Sequence, residues 1–418
     1  MSPTYTKFTN GHLIDNGQLY ENADIYINNE TKKISHAPSN ENLITKVIDL
    51  HGQYLAPGYL DIQNNGIYGL NFSALDENST PEDIALFAQF YKDAMKKYLS
   101  TGVTGICPTV TSNFPEVYKK VLKFYKKSRL SNQSDSLGAH LEGPFINLKK
   151  KGCHPTETFV DAKDGEAKKL FDIYGGELNV LNNVCIITAA PEIPGVLEAI
   201  PTLTEKGIVF SIGHTMADYE TGLKAIENGA TMITHLYNAM PQPHHRNAGV
   251  VGLINTPVTS NTPYFGMIAD GVHVDASMIN LAYKSNPEKC VLVTDAMHLI
   301  GLADGTYKWD QQYIVKTGDR LYLKGTDTLA GAATTLPQCV RNLMKWSEIS
   351  LPEAVKTCTN NAAVSIGVQN ERGFLNVGCD ADFVVLNKEG YVQKIFKLGQ
   401  EVQSSDIIVE NSKLLASL

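Results

Sequence analysis

The pattern of apolar and polar positions divides the chain into two textures. Up to residue 56, short apolar–polar alternations are broken by turn residues, as in "KFTNGHLIDNGQLYENADIYINNETKKISHA". Asn-Gly at 10–11 and 16–17 and Asn-Asn-Glu at 28–30 separate these runs, which predicts β-hairpins. From Pro57 onward, continuous apolar runs take over. They are "YLDIQ" (59–63), "GVTGICPTV" (102–110), "SLGAHLEG" (136–143), "NVCIITAAPE" (183–192), "GIVFSIGHT" (207–215), "ATMITHLYN" (230–238), "YFGMIADGVHV" (264–274) and "CVLVTDAM" (290–297). They are rich in β-branched residues and do not alternate, as expected of strands covered on both faces of a parallel sheet.

Helical periodicity lies between most of the runs. Thr80 is placed to N-cap a helix with Pro81 at its first position, and Ile84, Phe87, Ala88, Tyr91, Met95 and Tyr98 follow as its apolar stripe. "GVLEAIPTLTEKG" (195–207) and "MADYETGLKAIENG" (216–229) each end in a glycine suited to a C-cap. Eight strands alternating with helices over about 250 residues predict an α/β fold, a (β/α)₈ TIM barrel. After the eighth run come two more helical segments, "TLPQCVRNLMKWSE" and "LPEAVKTCTNNAAVSIG", and then an alternating tail, "GFLNVGCDADFVVLNKEGYVQKIFKLGQEV". We therefore expect the barrel over 57–372 and a small β-sandwich domain built from both chain termini, 1–56 plus 373–418.

Composition narrows the function. The net charge is −8, which argues against a nucleic-acid surface but leaves room for an anionic small substrate held by a few cations. The N-terminus has neither a basic nor an apolar leader pattern, and no run is long enough to span a membrane. The seven cysteines are scattered, with no C-x-x-C pair, and read as free thiols in a reducing compartment, hence a cytoplasmic protein.

Catalytic side chains of a barrel sit at the C-terminal ends of its strands. Here those ends carry Gln63-Asn64-Asn65, Glu142, His214, His235, His273 and Asp295. One carboxylate and two imidazoles, Glu142, His214 and His235, form a three-ligand set with open positions, the arrangement of a catalytic Zn²⁺. Asp295 is then available as base for a water and later as acid for a leaving group. Taken singly, each residue has a plainer use: Glu142 as an ion-pair partner, Asp295 as a helix cap, His140 as a core histidine. The run Lys149-Lys150-Lys151 reads as a solvated charge cluster.

Several stretches carry a family resemblance: "APGYLDIQNNG", "HLEGPFINLKKKGCH", "SIGHTMA", "THLYNAMPQPHHRNAGVVG", "DGVHV", "VTDAM", "LAGAA" and "GFLNVGCDADFVVL". From about residue 50 to its end the sequence resembles the amidohydrolase superfamily and, within it, the N-acetylglucosamine-6-phosphate deacetylase family. The resemblance implies a metal-dependent amide hydrolase releasing acetate from N-acetyl-D-glucosamine 6-phosphate. It assigns Glu142, His214 and His235 to the metal and Asp295 to acid–base catalysis. It assigns His154 to polarising the acetyl carbonyl. Asn238, the backbone at Ala239, Arg246 and His273 match the sugar-phosphate contacts. It also implies a homodimer whose phosphate site draws on both chains. His244 and His245, beside Arg246, read as loop residues.

Many amidohydrolases end strand 1 in His-x-His, which holds a second, more buried metal. Here the pair is Gln63-x-Asn65, and carboxamide oxygens bind Zn²⁺ far less well than imidazole. The expectation is one divalent metal per subunit, Zn²⁺ by donor type, with Gln63 bracing a ligand or the water. Other readings keep the fold and change the reaction, to a dihydroorotase-like enzyme or a purine deaminase. A reading from another class is a non-catalytic interaction protein on the same scaffold, which would lack the metal ligands.

Overall fold

The computed structural model describes residues 3–163, 167–309, 312–327 and 329–403. The eight apolar runs form eight parallel strands: β1 (Tyr59–Asn64), β2 (Val103–Thr111), β3 (Ala139–Glu142), β4 (Val184–Ala189), β5 (Val209–Ile212), β6 (Met232–Ile233), β7 (Tyr264–Met267) and β8 (Cys290–Leu292). Each pairs in parallel with the next, from β1–β2 round to β7–β8. β1 and β8 share no regular ladder. Two backbone bonds close the barrel there: Asp295 N–H to the Gln63 carbonyl (2.9 Å) and Asn65 N–H to the Ala296 carbonyl (2.8 Å). Every residue of β1, β3 and β4 is buried, as continuous apolar runs require when helices cover one face and the barrel interior the other.

α1 (Pro81–Leu99) follows β1 and starts where the sequence places it. The Thr80 hydroxyl accepts from the Asp83 N–H while the Asp83 carboxylate accepts from the Thr80 N–H, a reciprocal cap with Pro81 behind it. Removing such a cap costs about 1 kcal/mol. Phe87, Phe90, Tyr91, Ala94, Met95, Tyr98 and Leu99 recur at helical spacing and are the buried face.

Two further sheets lie outside the barrel, one from the N-terminal segment alone and one from both chain ends. One contains Tyr5–Thr9, Ile25–Asn28, Lys33–Ser35 and Ile44–Asp49. The other runs Gln400–Glu401, Val392–Lys397, Phe383–Leu386, Tyr54–Pro57, His12–Asp15, Gln18–Tyr20. Phe8, Ile27, Leu55, Phe383 and Phe396 share one core between them, with the Phe8 ring edge-on to Phe383 and Phe396 at 5.5 and 4.9 Å. A buried ion cluster ties the tail back to the barrel: Lys397 Nζ lies 2.7 Å from both Asp135 and Asp382, and Arg372 reaches Asp135 and Asp380. Residues 404–418, assigned from the sequence to the terminal domain, lie outside the described residues.

One element departs from the sequence reading. The two helical segments do not follow β8 directly. A four-stranded antiparallel sheet intervenes: β9 (Gly305–Trp309), β10 (Gln312–Thr317), β11 (Arg320–Leu323) and β12 (Leu329–Ala332). Thr317-Gly318-Asp319-Arg320 makes the β10–β11 turn, with Gly318 at φ +58°. Met297, Leu299, Ile314, Leu321, Ala330 and Ala333 give this sheet its own small core. Its last strand docks on the loop after β8, where Met297 N–H donates to the Ala332 carbonyl (2.9 Å).

Candidate active site

Glu142 is the last residue of β3, and His214 and His235 each follow their strand, β5 and β6, by two residues. All three are buried. Glu142 Oε1 lies 3.0 Å from His214 Nε2 and 2.9 Å from His235 Nε2, and the two Nε2 atoms are 3.1 Å apart. His214, His235 and Asp295 all have left-handed backbones, with φ of +47°, +27° and +45°. Such conformations cost energy in non-glycine residues and persist only where surrounding structure enforces them, typically at functional sites. Asp295 caps no helix. It follows β8 and joins the same cavity.

The triangle suits a metal. A tetrahedral ion with bonds of about 2.0–2.1 Å sets its ligands roughly 3.3 Å apart, and the three donor atoms already stand 2.9–3.1 Å apart. Backbone bonding sets one tautomer: His214 Nδ1 donates to the Lys150 carbonyl at 2.7 Å, leaving the Nε2 lone pair facing inward. Lys150 therefore does more than extend a solvated charge run: its carbonyl braces a site histidine, and its half-buried ammonium binds the Met240 carbonyl. Among the described residues, this is the one cluster of three His, Cys, Asp or Glu side chains with metal-binding proximity.

Without an ion, the charges compensate one another. Burial alone raises the Glu142 pKa, but hydrogen bonds and charge from His214 and His235 outweigh it and hold the carboxyl well below its usual range. Burial opposes charge on His235, yet Glu142 pulls its pKa up to about 9. Burial, then repulsion from Glu142, lifts Asp295 to about 6.

The carboxamides at the end of β1 face these carboxylates. Gln63 Nε2 donates to Glu142 Oε1 (3.2 Å) and to Asp295 Oδ1 (3.3 Å), and Asn65 Nδ2 donates to Asp295 Oδ1 (2.7 Å). Both donate to the same Asp295 oxygen, Oδ1, and leave Oδ2 out of these bonds. Asn64 turns away into a buried network with Asp61, Tyr98 and Thr294.

His154 is buried beside the triad, its ring edge-on to His214 at 4.5 Å. The Ser112 backbone N–H donates to its Nδ1 (3.2 Å), and the Ser112 hydroxyl lies 2.7 Å from the same atom. A backbone N–H can only donate, so the neutral ring carries its proton on Nε2. Burial, reinforced by His214, lowers the His154 pKa to about 3 and keeps it neutral.

A cavity of about 300 Å³ joins these groups and is lined by Glu142, His154, His214, His235, Asn238, Ala239, His273 and Asp295. His273 does not end β7. It lies in the loop before the next helix, where Asp270 accepts from its backbone N–H and holds its Nδ1 at 2.7 Å. Asn238 Nδ2 lies 3.4 and 3.3 Å from the His235 and Leu236 carbonyls, and Ala239 has φ +49°. Arg246 does not line the cavity; it is exposed, on a turn with exposed His244 and His245, whose rings lie 4.1 Å apart and tilted by 41°. His140 is a satisfied core histidine, bonded to the Ile62 carbonyl and the Thr188 hydroxyl.

Sequence reasoning missed part of the wall. Asn71, Ser73, Thr111, Ser112 and Asn113 line the cavity, and the polar run "TSN" at the end of β2 is the signal that marks three of them. Leu329, Ala330 and Gly331 reach it from β12. A larger cavity, about 660 Å³, lies between α1 and the added sheet, but only Asn71 is common to both and it holds none of the triad.

Comparison with known proteins agrees with this geometry. Residues 54–404 match the amidohydrolase family. An N-acetylglucosamine-6-phosphate deacetylase from Caenorhabditis elegans is 39% identical over 85% of this chain and 84% of its own. The structure of N-acetylglucosamine-6-phosphate deacetylase from Pasteurella multocida superposes with a TM-score of 0.79 at 29% identity, covering 95% of this chain and 99% of that one. A mutant of the N-acetyl-D-glucosamine-6-phosphate deacetylase from Mycobacterium smegmatis, in complex with N-acetyl-D-glucosamine-6-phosphate, gives a TM-score of 0.77 at 26% identity, covering 96% of this chain and 100% of that one.

Proposed function

We propose a specific reaction for this chain, which belongs to the amidohydrolase family and, within it, to the N-acetylglucosamine-6-phosphate deacetylases: hydrolysis of N-acetyl-D-glucosamine 6-phosphate to D-glucosamine 6-phosphate and acetate. The observation that carries it is the buried triangle of Glu142, His214 and His235 opening into the same cavity as Asp295 and His154. Glu142, His214 and His235 would hold one divalent ion, Zn²⁺ by the nitrogen-rich donor set, which when bound supplies a water that ionises near neutral pH.

The chain's own groups do the rest. Asp295 Oδ2 takes the proton of the attacking water while Asn65 and Gln63 hold Oδ1. The water oxygen adds to the acetyl carbon, and His154 Nε2–H donates to the carbonyl oxygen as negative charge grows there. Asp295 then gives its proton to the amide nitrogen, the C–N bond breaks, and amine and acetate leave. Asn238, the Ala239 backbone and His273 line the side of the cavity we assign to the sugar phosphate.

Arg246 suits a phosphate, since its planar fork donates two parallel bonds. Because it stands outside its own cavity, we propose that it completes the site of a second copy in a homodimer. Seven free cysteines support a reducing, cytoplasmic setting.

The test is acetate release, followed by NMR, from N-acetylglucosamine 6-phosphate, unphosphorylated N-acetylglucosamine and dihydroorotate. Acetate should come from the phosphorylated sugar and stop on chelation. Turnover of dihydroorotate with no acetate from the sugar phosphate would move the reading to another amidohydrolase reaction.

A further inference from the structure

We infer that Asp61 is a positioning residue for catalysis, acting through Asp295 by locking the seam between the first and last strands of the barrel. The inference rests on the acid–base role proposed for Asp295.

The seam is where the barrel is weakest. Between β1 and β8 the main chain is joined by the two backbone bonds described above, which flank the isolated Asn64–Ala296 bridge. Yet catalysis needs groups from both sides in register: Gln63 and Asn65 from β1, Asp295 from beyond β8. Their direct links across the seam are side-chain bonds of 3.3 and 2.7 Å.

Asp61 sits two residues before Gln63 and is completely buried. Its carboxylate stands in for the missing ladder. Oδ1 accepts from the Thr294 backbone N–H (3.2 Å), and Oδ2 accepts from the Thr294 hydroxyl (2.7 Å), the Tyr98 hydroxyl (2.7 Å) and Asn64 Nδ2 (3.1 Å). Thr294 immediately precedes Asp295. The carboxylate therefore binds both the main chain and the side chain next to the left-handed residue that must present its acid. Tyr98 brings in α1, so the seam is fixed from three elements.

A neutral amide cannot replace this group. Asn at 61 would offer one acceptor oxygen, and its NH₂ would face either the Thr294 backbone N–H, which can only donate, or the Asn64 NH₂ beside two hydroxyls that would have to reverse their bonds. Burying those unmatched donors would loosen the seam rather than only weaken the fold. A displacement of about 1 Å in a catalytic group can cost 10²-fold in rate. The metal triad itself comes from β3, β5 and β6 and meets the seam through the Gln63–Glu142 bond (3.2 Å), while its three donor atoms are set by their own strands, so its ion should stay.

The experiment compares Asp61→Asn, Tyr98→Phe and Thr294→Ser with wild type as metal-loaded proteins, measuring kcat, KM, bound metal and Tm. Asp61→Asn should lower kcat about 30–100-fold with KM and metal content near wild type. Thr294→Ser keeps both donors and should stay close to wild type, while Tyr98→Phe should lose several-fold in kcat. In an Asp295→Asn background, Asp61→Asn should add less than about three-fold, since it acts through that residue.

A folded Asp61→Asn protein with kcat within about two-fold of wild type, or full additivity with Asp295→Asn, would overturn the inference. If Asp61→Asn fails to fold, Tyr98→Phe with unchanged kcat would do the same. Absence of acetate from the wild-type protein is a separate outcome and bears on the reaction itself.

Discussion

Binding of a divalent ion should expel a proton from His235. In the ion-free chain, burial disfavours the imidazolium, but Glu142, 2.9 Å away, reverses this and raises its pKa to about 9. At about pH 6.5 the ring is then largely charged, and an imidazole must give up its extra proton to bind a metal. Each ion bound should therefore release about one proton from His235. Asp295, with a pKa of about 6, still holds its proton in about a quarter of molecules at that pH and adds part of that fraction. Calorimetric titration of chelator-stripped protein with Zn²⁺, repeated in buffers of different ionisation enthalpy, gives the number directly. We expect about 1.0–1.5 protons per ion and an affinity that tightens about tenfold, or 1.4 kcal/mol, per pH unit from about 6.5 to 8. The sign follows from a raised pKa: below 9 the proton competes with the ion, and rising pH removes the competitor. Release below about 0.3 proton with a flat affinity would refute the Glu142–His235 charge pair.

Asp295→Asn should retain its ion but lose about 10²–10⁴ in kcat, measured as acetate release, because the amide can neither take nor return the proton. His154→Phe keeps a ring but removes the Nε2–H donor, so kcat should fall about 10²–10³-fold with little change in metal content. Arg246→Ala should raise KM for the phosphorylated sugar about 10–100-fold, and mixing Arg246→Ala with Asp295→Asn chains should regain activity. That recovery requires a site combining Asp295 from one chain with Arg246 from the other, and its absence would remove the shared-site proposal.

Much of the barrel was legible because its strands are unbroken apolar runs, and few other structures bury both strand faces. Thr80 and Pro81 marked the start of α1 because capping is a local interaction. Strand-end placement holds for the triad and Asp295 but not for His273, which reaches the cavity from a loop. The first four sit within three residues of a strand end, whereas His273 depends on the Asp270 turn. The β9–β12 sheet went unread because it is an insertion between the eighth strand and the helices that follow, which the repeating strand–helix pattern of a barrel does not anticipate. Its contribution to the cavity through Leu329–Gly331 is a tertiary fact that no local pattern encodes. The tautomer of His154 was equally hidden, since it depends on the backbone of Ser112, 42 residues away. The carboxamides Gln63 and Asn65 could be recognised from sequence as poor metal ligands, but only the structure shows both donating to Asp295.

The central claim is that one ion, held by Glu142, His214 and His235, serves an amide hydrolysis run by Asp295. Titrating stripped protein with Zn²⁺ while recording acetate release from N-acetylglucosamine 6-phosphate tests it most directly. Activity should rise linearly and break at one ion per chain. A break at two ions, or no acetate from the fully loaded protein, would contradict it.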